Sequence, residues 1–278
     1  MTRFTIERDV TRLKVIHRQR VQRQGDAEPA PAFVSEGLTP EVRAGALSGW
    51  QRLLETEYES VVISGWMTSA LARLGAPLDI VGAFGRVVED EIRHVDLCAQ
   101  MVETLGGTPT IPRQPPPPFP LDLSSPEAEF ETIAGMVSFF CVFEHLSGLV
   151  FNQALKAAKE PLAQWAIGEI FRDEAFHGAF GFETAKVYTP RFNAEQRRRL
   201  GDRVAADVAR FGQRLRGDLG DGRGAPAGFM NPQPGLEALG LLSPPTLLRV
   251  YHAGVATQLV PRLREVGIPI ELTELPQG

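Results

Sequence analysis

The sequence predicts an all-α fold: a four-helix bundle built from two helix hairpins, with further helices at both ends. Three observations lead to this prediction. Apolar residues recur at helical spacing over long segments, prolines and glycines separate those segments, and the alternation typical of strands is scarce. The chain has 278 residues, of which 43% are hydrophobic, so it is long and apolar enough to bury a sizeable core.

The first predicted hairpin begins the bundle, which spans residues 39–190. A threonine followed by a proline is typical of a helix N-terminus, and this pair starts the first helix at Thr39. That helix runs to Gly75. A second helix restarts at Pro77 and ends at the glycine pair that begins with Gly106, a common C-terminal signal. The short connection predicts that the two helices are antiparallel neighbours.

A proline-rich segment separates the two predicted hairpins. Residues 108–123 include four consecutive prolines, which cannot continue a helix, so this segment is predicted to be an extended crossover. The third helix is predicted from Ser125 to about Lys159, and the fourth from Glu160 to just before Pro190. Two hairpins joined by a long crossover are typical of one class of four-helix bundle.

Both ends extend beyond a minimal bundle. Residues 1–38 are predicted to be an N-terminal helical extension with a polar loop, and residues 191–278 a C-terminal helical extension that packs on the bundle. In the second extension, Asn193 followed three residues later by Gln196 has the pattern of a capping box. A final helix is predicted near residues 245–266.

Composition narrows the partners and the compartment. A formal net charge of -5 argues against a nucleic-acid-binding surface. Two cysteines, Cys98 and Cys141, stand without a CxxC partner, which fits a reducing cytoplasm. The N-terminus lacks the apolar core of a signal peptide. The longest apolar stretch is short and is followed closely by Glu144 and His145, so no membrane span is expected.

The motif Glu-x-x-His occurs twice inside predicted helices. Glu91 and His94 lie on the second helix, and Glu174 and His177 lie on the fourth. Residues three apart share one side of a helix, so each pair can reach a single metal ion. One copy alone often arises by chance. Here both pairs lie on apolar helix faces, where a buried carboxylate is unfavourable without a compensating cation.

The first and third helices each offer one further glutamate. Glu144 lies in an almost uncharged stretch of the third helix and is predicted to be buried. The first helix offers Glu55, Glu57 and Glu59. The face of Glu57 is largely apolar, whereas the face of Glu59 carries other charged and polar residues, which predicts that Glu59 is solvated. We therefore select Glu57.

Each hairpin thus has a glutamate on its first helix and a Glu-x-x-His pair on its second. This is the arrangement of two-metal carboxylate bundles. Four carboxylates and two neutral imidazoles balance two divalent cations, and oxygen-rich ligation with histidine suits iron or manganese. The predicted metal ligands are Glu57, Glu91, His94, Glu144, Glu174 and His177.

On these residues, and on the segments EYESVVISGWMTSALARLGAP and DEIRHVDLCAQMVETLGG, the sequence resembles the ferritin-like di-iron carboxylate superfamily over roughly residues 45–190, bacterial ferritin-like proteins in particular. The resemblance implies a ferritin-like bundle, the same six ligands and two iron ions, with an iron–manganese or manganese pair as alternatives. It also implies that Asp90 and Asp173 support the ligands, by orienting imidazoles across the bundle, although a solvated aspartate is an open alternative for both. The di-iron N-oxygenases of para-aminobenzoate are similar in outline but have an additional histidine where this chain has Ile170.

On this basis we expect a di-iron, non-haem oxygenase or oxidase that activates O2 to oxidise a small organic substrate. Hydroxylation, N-oxygenation, desaturation and carbon–carbon cleavage remain open, because these reactions share the same ligands. An electron-donor protein and a homodimer are compatible partners. The alternatives are a ferroxidase or iron-handling protein without an organic substrate, and a bundle whose site is a structural relic. Small residues near the ligands, such as Ser64 and Gly148, predict either a cavity or close helix packing.

Overall fold

The computed structural model describes residues 3–7, 11, 30–112, 124–216 and 235–272. These residues are mostly helical, with 78% helix and 3% strand, which confirms the all-α prediction. They contain six helices, of which four long ones pack as a bundle and two belong to the C-terminal extension.

The first hairpin consists of α1 (Pro40–Arg73) and α2 (Leu78–Thr104). The Thr39 side chain caps α1 by accepting a hydrogen bond from the backbone amide three residues later, at 3.3 Å. Between the helices, Gly75 has a φ of 71°, which a residue without Cβ adopts easily. The predicted helix boundaries of this hairpin are confirmed to within a few residues, because these terminal signals are local in sequence.

The second hairpin consists of α3 (Ala128–Ala157) and α4 (Pro161–Tyr188). The Glu160 side chain caps α4 by accepting a hydrogen bond from the Ala163 amide at 2.6 Å. Helix α3 is regular at both ends and wider in the middle, a change that the sequence did not predict. Its three parts are α-helical Ala128–Met136, π-helical Val137–Glu144 and α-helical His145–Ala157.

Contacts between the helices define the bundle. Helix α1 packs along α2 and α3 along α4, α2 also contacts α4, and α1 contacts the first part of α3. The buried face of each helix meets in one hydrophobic core. Large side chains that are almost completely buried there include Trp50, Phe84, Met101 and Phe140.

The described parts of the N-terminal extension and of the crossover pair with each other. Strand β1 (Arg3–Thr5) and strand β2 (Thr110–Pro112) are antiparallel, with Phe4 opposite Ile111. The prediction of an N-terminal helical extension is therefore wrong for residues 3–5. Thr, Phe and Ile favour strands where a partner strand is present, and this partner lies more than a hundred residues away in sequence, so local patterns did not predict it.

Residues 30–38 of the predicted N-terminal extension are described and contain a turn but no helix, whereas residues 1–2, 8–10 and 12–29 of that extension and residues 113–123 of the predicted crossover lie outside the described residues. Within the described part, Ile111 is completely buried, and the Phe4 ring contacts the Tyr58 ring edge to face at 5.9 Å between centroids. The short sheet thus lies against α1.

The C-terminal extension packs against the second hairpin. The capping box is confirmed by two hydrogen bonds. The backbone amide of Asn193 donates to Gln196 Oε1 at 3.1 Å, and the backbone amide of Gln196 donates to Asn193 Oδ1 at 2.9 Å. Its elements are the 3-10 turns Thr189–Arg191 and Leu236–Leu239, helix α5 (Ala194–Arg216) and helix α6 (244–265). Helix α6 consists of Pro244–Gly254, π-helical Val255–Leu259 and Val260–Glu265. Helix α5 contacts the π-helical part of α3, and α6 contacts the last part of α3.

Helix α3 is the one helix of the described residues that is long and apolar enough to cross a membrane by length and composition alone. The length argument made from the sequence does not hold, because the helix that contains this apolar stretch has 30 residues. However, 78% of its most apolar window is buried inside the protein. That burial is typical of the core helix of a bundle.

Candidate metal centre

The six predicted ligands come together in the middle of the bundle. They come from four different helices, and no member of the set exposes more than 5% of its surface. Burying four carboxylates and two imidazoles in one place is unfavourable unless cations compensate the charge. The residues are Glu57 on α1, Glu91 and His94 on α2, Glu144 on α3, and Glu174 and His177 on α4.

Their ligand atoms form two overlapping clusters. Within each cluster, one atom from every residue lies within 4.8 Å of the others, which is close enough to surround a metal ion. We call the position beside Glu57 and His94 site 1, and the position beside Glu144 and His177 site 2. The clusters are Glu57, Glu91, His94 and Glu174 for site 1, and Glu91, Glu144, Glu174 and His177 for site 2.

Glu91 and Glu174 belong to both sites. Glu91 Oε2 lies 3.4 Å from His94 Nδ1, and Glu91 Oε1 lies 3.2 Å from His177 Nδ1, so this carboxylate presents one oxygen to each site. Glu174 Oε1 lies 3.6 Å from His94 Nδ1 and 3.8 Å from His177 Nδ1. Glu91 and Glu174 thus lie between the two sites, and each could serve as a ligand in both of them.

Each imidazole faces the cluster with Nδ1 and an aspartate of the opposite helix with Nε2. His94 Nε2 on α2 lies 3.2 Å from Asp173 Oδ2 on α4, and His177 Nε2 on α4 lies 3.6 Å from Asp90 Oδ2 on α2. An aspartate in this place keeps a proton on Nε2 and directs the Nδ1 lone pair at the cluster. Both aspartates are buried, so the solvated alternative does not hold.

Two arginines hold these aspartates, and sequence reasoning missed both. Arg93 forms ion pairs with Asp173 and with Glu169, the latter at 2.6 Å from Nη1 to Oε2. Arg86 Nε lies 2.9 Å from each carboxylate oxygen of Asp90. The signal was present for Arg93, which directly precedes a predicted ligand on a helix with a wide buried face.

The described residues leave several polar atoms of the cluster without a hydrogen bond. These are both carboxylate oxygens of Glu91, Glu174 Oε2 and both ring nitrogens of His177, although all are shielded from solvent. Orphaned polar atoms of this kind are rare in proteins, because each loses its interaction with water. A pair of divalent cations would satisfy these atoms, apart from His177 Nε2, which faces Asp90, and would balance the four carboxylates, so the residues present fit such a pair.

In the metal-free protein, several groups of the cluster have raised pKa values and therefore retain protons, which offset the negative charge of the carboxylates. Burial raises the pKa of Glu57 to about 7 and that of Glu174 well above its usual range. Burial alone would lower the pKa of His94, but the facing carboxylates of Glu57 and Glu91 outweigh it and raise the value to about 9. Metal binding must therefore displace protons from this site.

Three further residues near the cluster are now located. His145 turns away from the cluster, with Nδ1 3.4 Å from Arg262 Nη1, and burial lowers its pKa to about 4. Gly148 lies against Glu174 of α4, and a Cβ added there would make an ordinary contact of 3.6 Å with Glu174 Cβ. Ser64 is buried.

No protein-family model and no curated protein matches this sequence. The function proposed below therefore rests on the chemistry and geometry of the site.

Proposed function

We propose that this protein is a ferritin-like, non-haem di-iron oxidoreductase that uses O2 to oxidise a small organic molecule. One observation carries the proposal: two buried clusters share Glu91 and Glu174, and each has its own histidine and its own further glutamate. A glutamate from each of two helices, with a Glu-x-x-His pair from each of the other two, is the ligand set of ferritin-like di-iron and di-manganese bundles.

The donor set supports iron or manganese. It consists of carboxylate oxygens and imidazole nitrogens without a thiolate, which suits these ions better than the softer metals that cysteine selects. Glu57 and His94 would hold one ion, and Glu144 and His177 the other. When bound, an iron pair supplies electrons and open coordination positions for the reduction of O2. Asp90 and Asp173 keep the imidazoles oriented throughout.

The surroundings of the site are apolar on one side. Phe84, Phe140 and Phe180 form an aromatic cluster, with centroids 4.8 Å apart for the first pair and 4.5 Å apart for Phe84 and Phe180. Each ring lies one or two helical turns from a proposed ligand on its own helix, and towards the same end of the bundle. These apolar side chains would exclude water from that side and would favour a substrate that is largely apolar.

The proposal includes further partners. Hydroxylation consumes two additional electrons and two protons for each O2, with one oxygen atom entering the substrate and the other leaving as water. We therefore include an electron-donor protein among the partners, together with O2 and the organic substrate. We also propose a cytoplasmic location and a homodimeric assembly.

The decisive experiment combines metal content with O2 reactivity. The protein is produced with iron, its metal content per chain is measured, and the anaerobically reduced protein is then mixed with O2 while absorption and O2 consumption are followed. We expect about two irons per chain, rapid O2 uptake, and oxidised product from a panel of small aromatic and aliphatic substrates.

Two other results have distinct meanings. Storage of many irons per chain without organic product would favour the iron-handling alternative. Protein that binds no iron and does not respond to O2 would contradict the proposed function.

A further inference from the structure

Helices α2 and α4 carry matching segments, but the match fails next to the histidines. The segments read DEIRH on α2 and DEAFH on α4. The residue before His94 is Arg93, whereas the residue before His177 is Phe176. Two sites that share two carboxylates and have the same ligand types thus differ in the residues behind the ligands.

A second difference lies one turn before each aspartate. Glu169 stands four residues before Asp173, and Arg86 stands four residues before Asp90. The α4 position thus carries an acid where the α2 position carries a base. Both arginines are on α2. At site 1, Arg93 is therefore on the same helix as the histidine, His94, whereas at site 2, Arg86 is on the same helix as the aspartate, Asp90.

Behind site 1 these differences produce a buried ion-pair triad. Arg93 lies between Asp173 and Glu169, and its side chain is only 3% exposed. Ion pairs that are shielded from water hold their members in one geometry more firmly than exposed pairs do. Asp173 in turn lies 3.2 Å from His94 Nε2, which is hydrogen-bonding distance.

Behind site 2 the support is weaker. The side chain of Arg86 is 49% exposed, so its ion pair with Asp90 is screened by water. Asp90 Oδ2 lies 3.6 Å from His177 Nε2, which is beyond a normal hydrogen bond. Phe176, which takes the place of Arg93 on α4, carries no charge. Its side chain is half exposed, and its ring stacks on that of Phe180 with the centroids 6.0 Å apart.

We propose that the two metal sites are unequal, and that Arg93 is the positioning residue that makes them so. By holding Asp173 against His94, Arg93 orients this ligand before a metal arrives, so site 1 binds its ion more tightly and fills first. Site 2 fills second and exchanges its ion more readily, because His177 must be ordered when the ion binds. This inference rests on the metal pair of the proposed function.

The test is a stepwise titration of the metal-free protein with Mn2+. Calorimetry measures the binding constants, and electron paramagnetic resonance monitors the bound Mn2+. We expect two binding steps whose dissociation constants differ about tenfold or more, since contacts behind a metal ligand typically change affinity by about 10- to 100-fold. Below one equivalent, the spectrum should show isolated Mn2+ rather than coupled pairs.

Matched variants assign the difference to Arg93. Arg93→Gln should weaken the first step by about 10-fold or more and bring the two constants together. Arg86→Gln should leave the first step unchanged and weaken the second. Loss of general stability would weaken both steps alike, so the separate constants distinguish positioning from a structural role.

A transplant of the triad provides a test in the opposite direction. The double variant Arg86→Glu/Phe176→Arg places the site 1 residue types behind site 2 and should tighten the second step towards the first. If Arg93→Gln does not fold, as judged by circular dichroism, this double variant decides the question, and an unchanged second step in it would overturn the inference.

Different results would contradict the proposed function and the proposed inequality of the two sites. Equal constants in the unmodified protein, with two Mn2+ bound, would overturn the inequality of the sites and leave the metal centre intact. No binding of either Mn2+ or Fe2+ would overturn the proposed function itself, and with it this inference.

Discussion

Among three glutamates within five residues, burial selects Glu57. Glu55 forms an ion pair with Arg3, and Glu59 is half buried, whereas Glu57 is only 5% exposed and lies 3.2 Å from His94 Nδ1. Neighbouring positions on a helix differ by about 100° in direction. Two residues along the chain therefore separate a candidate metal ligand from a glutamate that is only partly buried.

This difference gives a prediction with a control on the same helix. Glu57→Ala should lower the bound metal from about two ions per chain to about one, because site 1 loses a carboxylate. Glu59→Ala should retain both ions. Metal content after dialysis against a weak chelator measures both variants, and equal metal contents would argue against Glu57 as a ligand.

The protonation of the cluster leads to a prediction about pH. In the metal-free protein, His94 has a pKa raised to about 9, so its contribution to stability is fully present below its ordinary value of about 6.5 and is lost as pH rises through about 9. Glu57, with a pKa of about 7, changes stability in the same direction at lower pH. The melting temperature of metal-free protein should therefore fall between pH 6.5 and pH 9.

Mn2+-loaded protein is the comparison for this prediction. Because fewer protons compete for the ligands at high pH, the difference in melting temperature between loaded and metal-free protein should widen as pH rises. Thermal denaturation at several pH values provides the measurement. A metal-free protein that becomes more stable up to pH 9 would show that these groups do not hold the protons.

At the scale of elements, the π-helical part of α3 ends at Glu144 and lies against α4. A Cβ added to Gly181 on α4 would lie 2.7 Å from Phe140 Cβ and 3.0 Å from the Phe140 carbonyl carbon. Helix α4 can thus approach this wide segment only where it has no side chain. The approach places Glu144 beside Glu174 and His177.

We predict that Gly181→Ala destabilises the protein by about 1–3 kcal/mol, the usual effect of overpacking a core, and weakens metal binding at site 2. Gly168→Ala is a matched control on the same helix, because the nearest atom to a Cβ there is Leu155 Cδ1 at 3.5 Å, an ordinary contact. Urea denaturation compares the two. Equal stabilities would mean that α3 moves away from α4 without loss.

At the scale of the whole molecule, the candidate site joins all four bundle helices, so occupancy and stability should be linked. An ion that binds only the folded protein stabilises it by about 2.7 kcal/mol at a concentration of 100 times Kd. We predict that Mn2+ raises the melting temperature of the protein in a concentration-dependent way.

The variant His94→Ala/His177→Ala is the control, and its melting temperature should not respond to Mn2+. Calorimetry or fluorescence-detected melting makes the comparison. If the unmodified protein also fails to respond, the cluster is the structural relic that the sequence left as an alternative.

The sequence by itself determined the helices of the bundle and the six side chains that meet at its centre. Helix ends depend on nearby residues such as Thr39 and Gly75, and the direction of Glu144 or His177 follows from helical periodicity, so both are local properties.

Only the tertiary structure decided what lies behind those side chains. The pairing of β1 with β2, the contacts of Asp90 and Asp173 with histidines on opposite helices, and the triad at Arg93 all depend on how segments distant in sequence are aligned. Alignment between helices follows from packing of the complete core. Local patterns therefore predicted the ligands of the proposed centre, while packing between helices set the difference between its two sites.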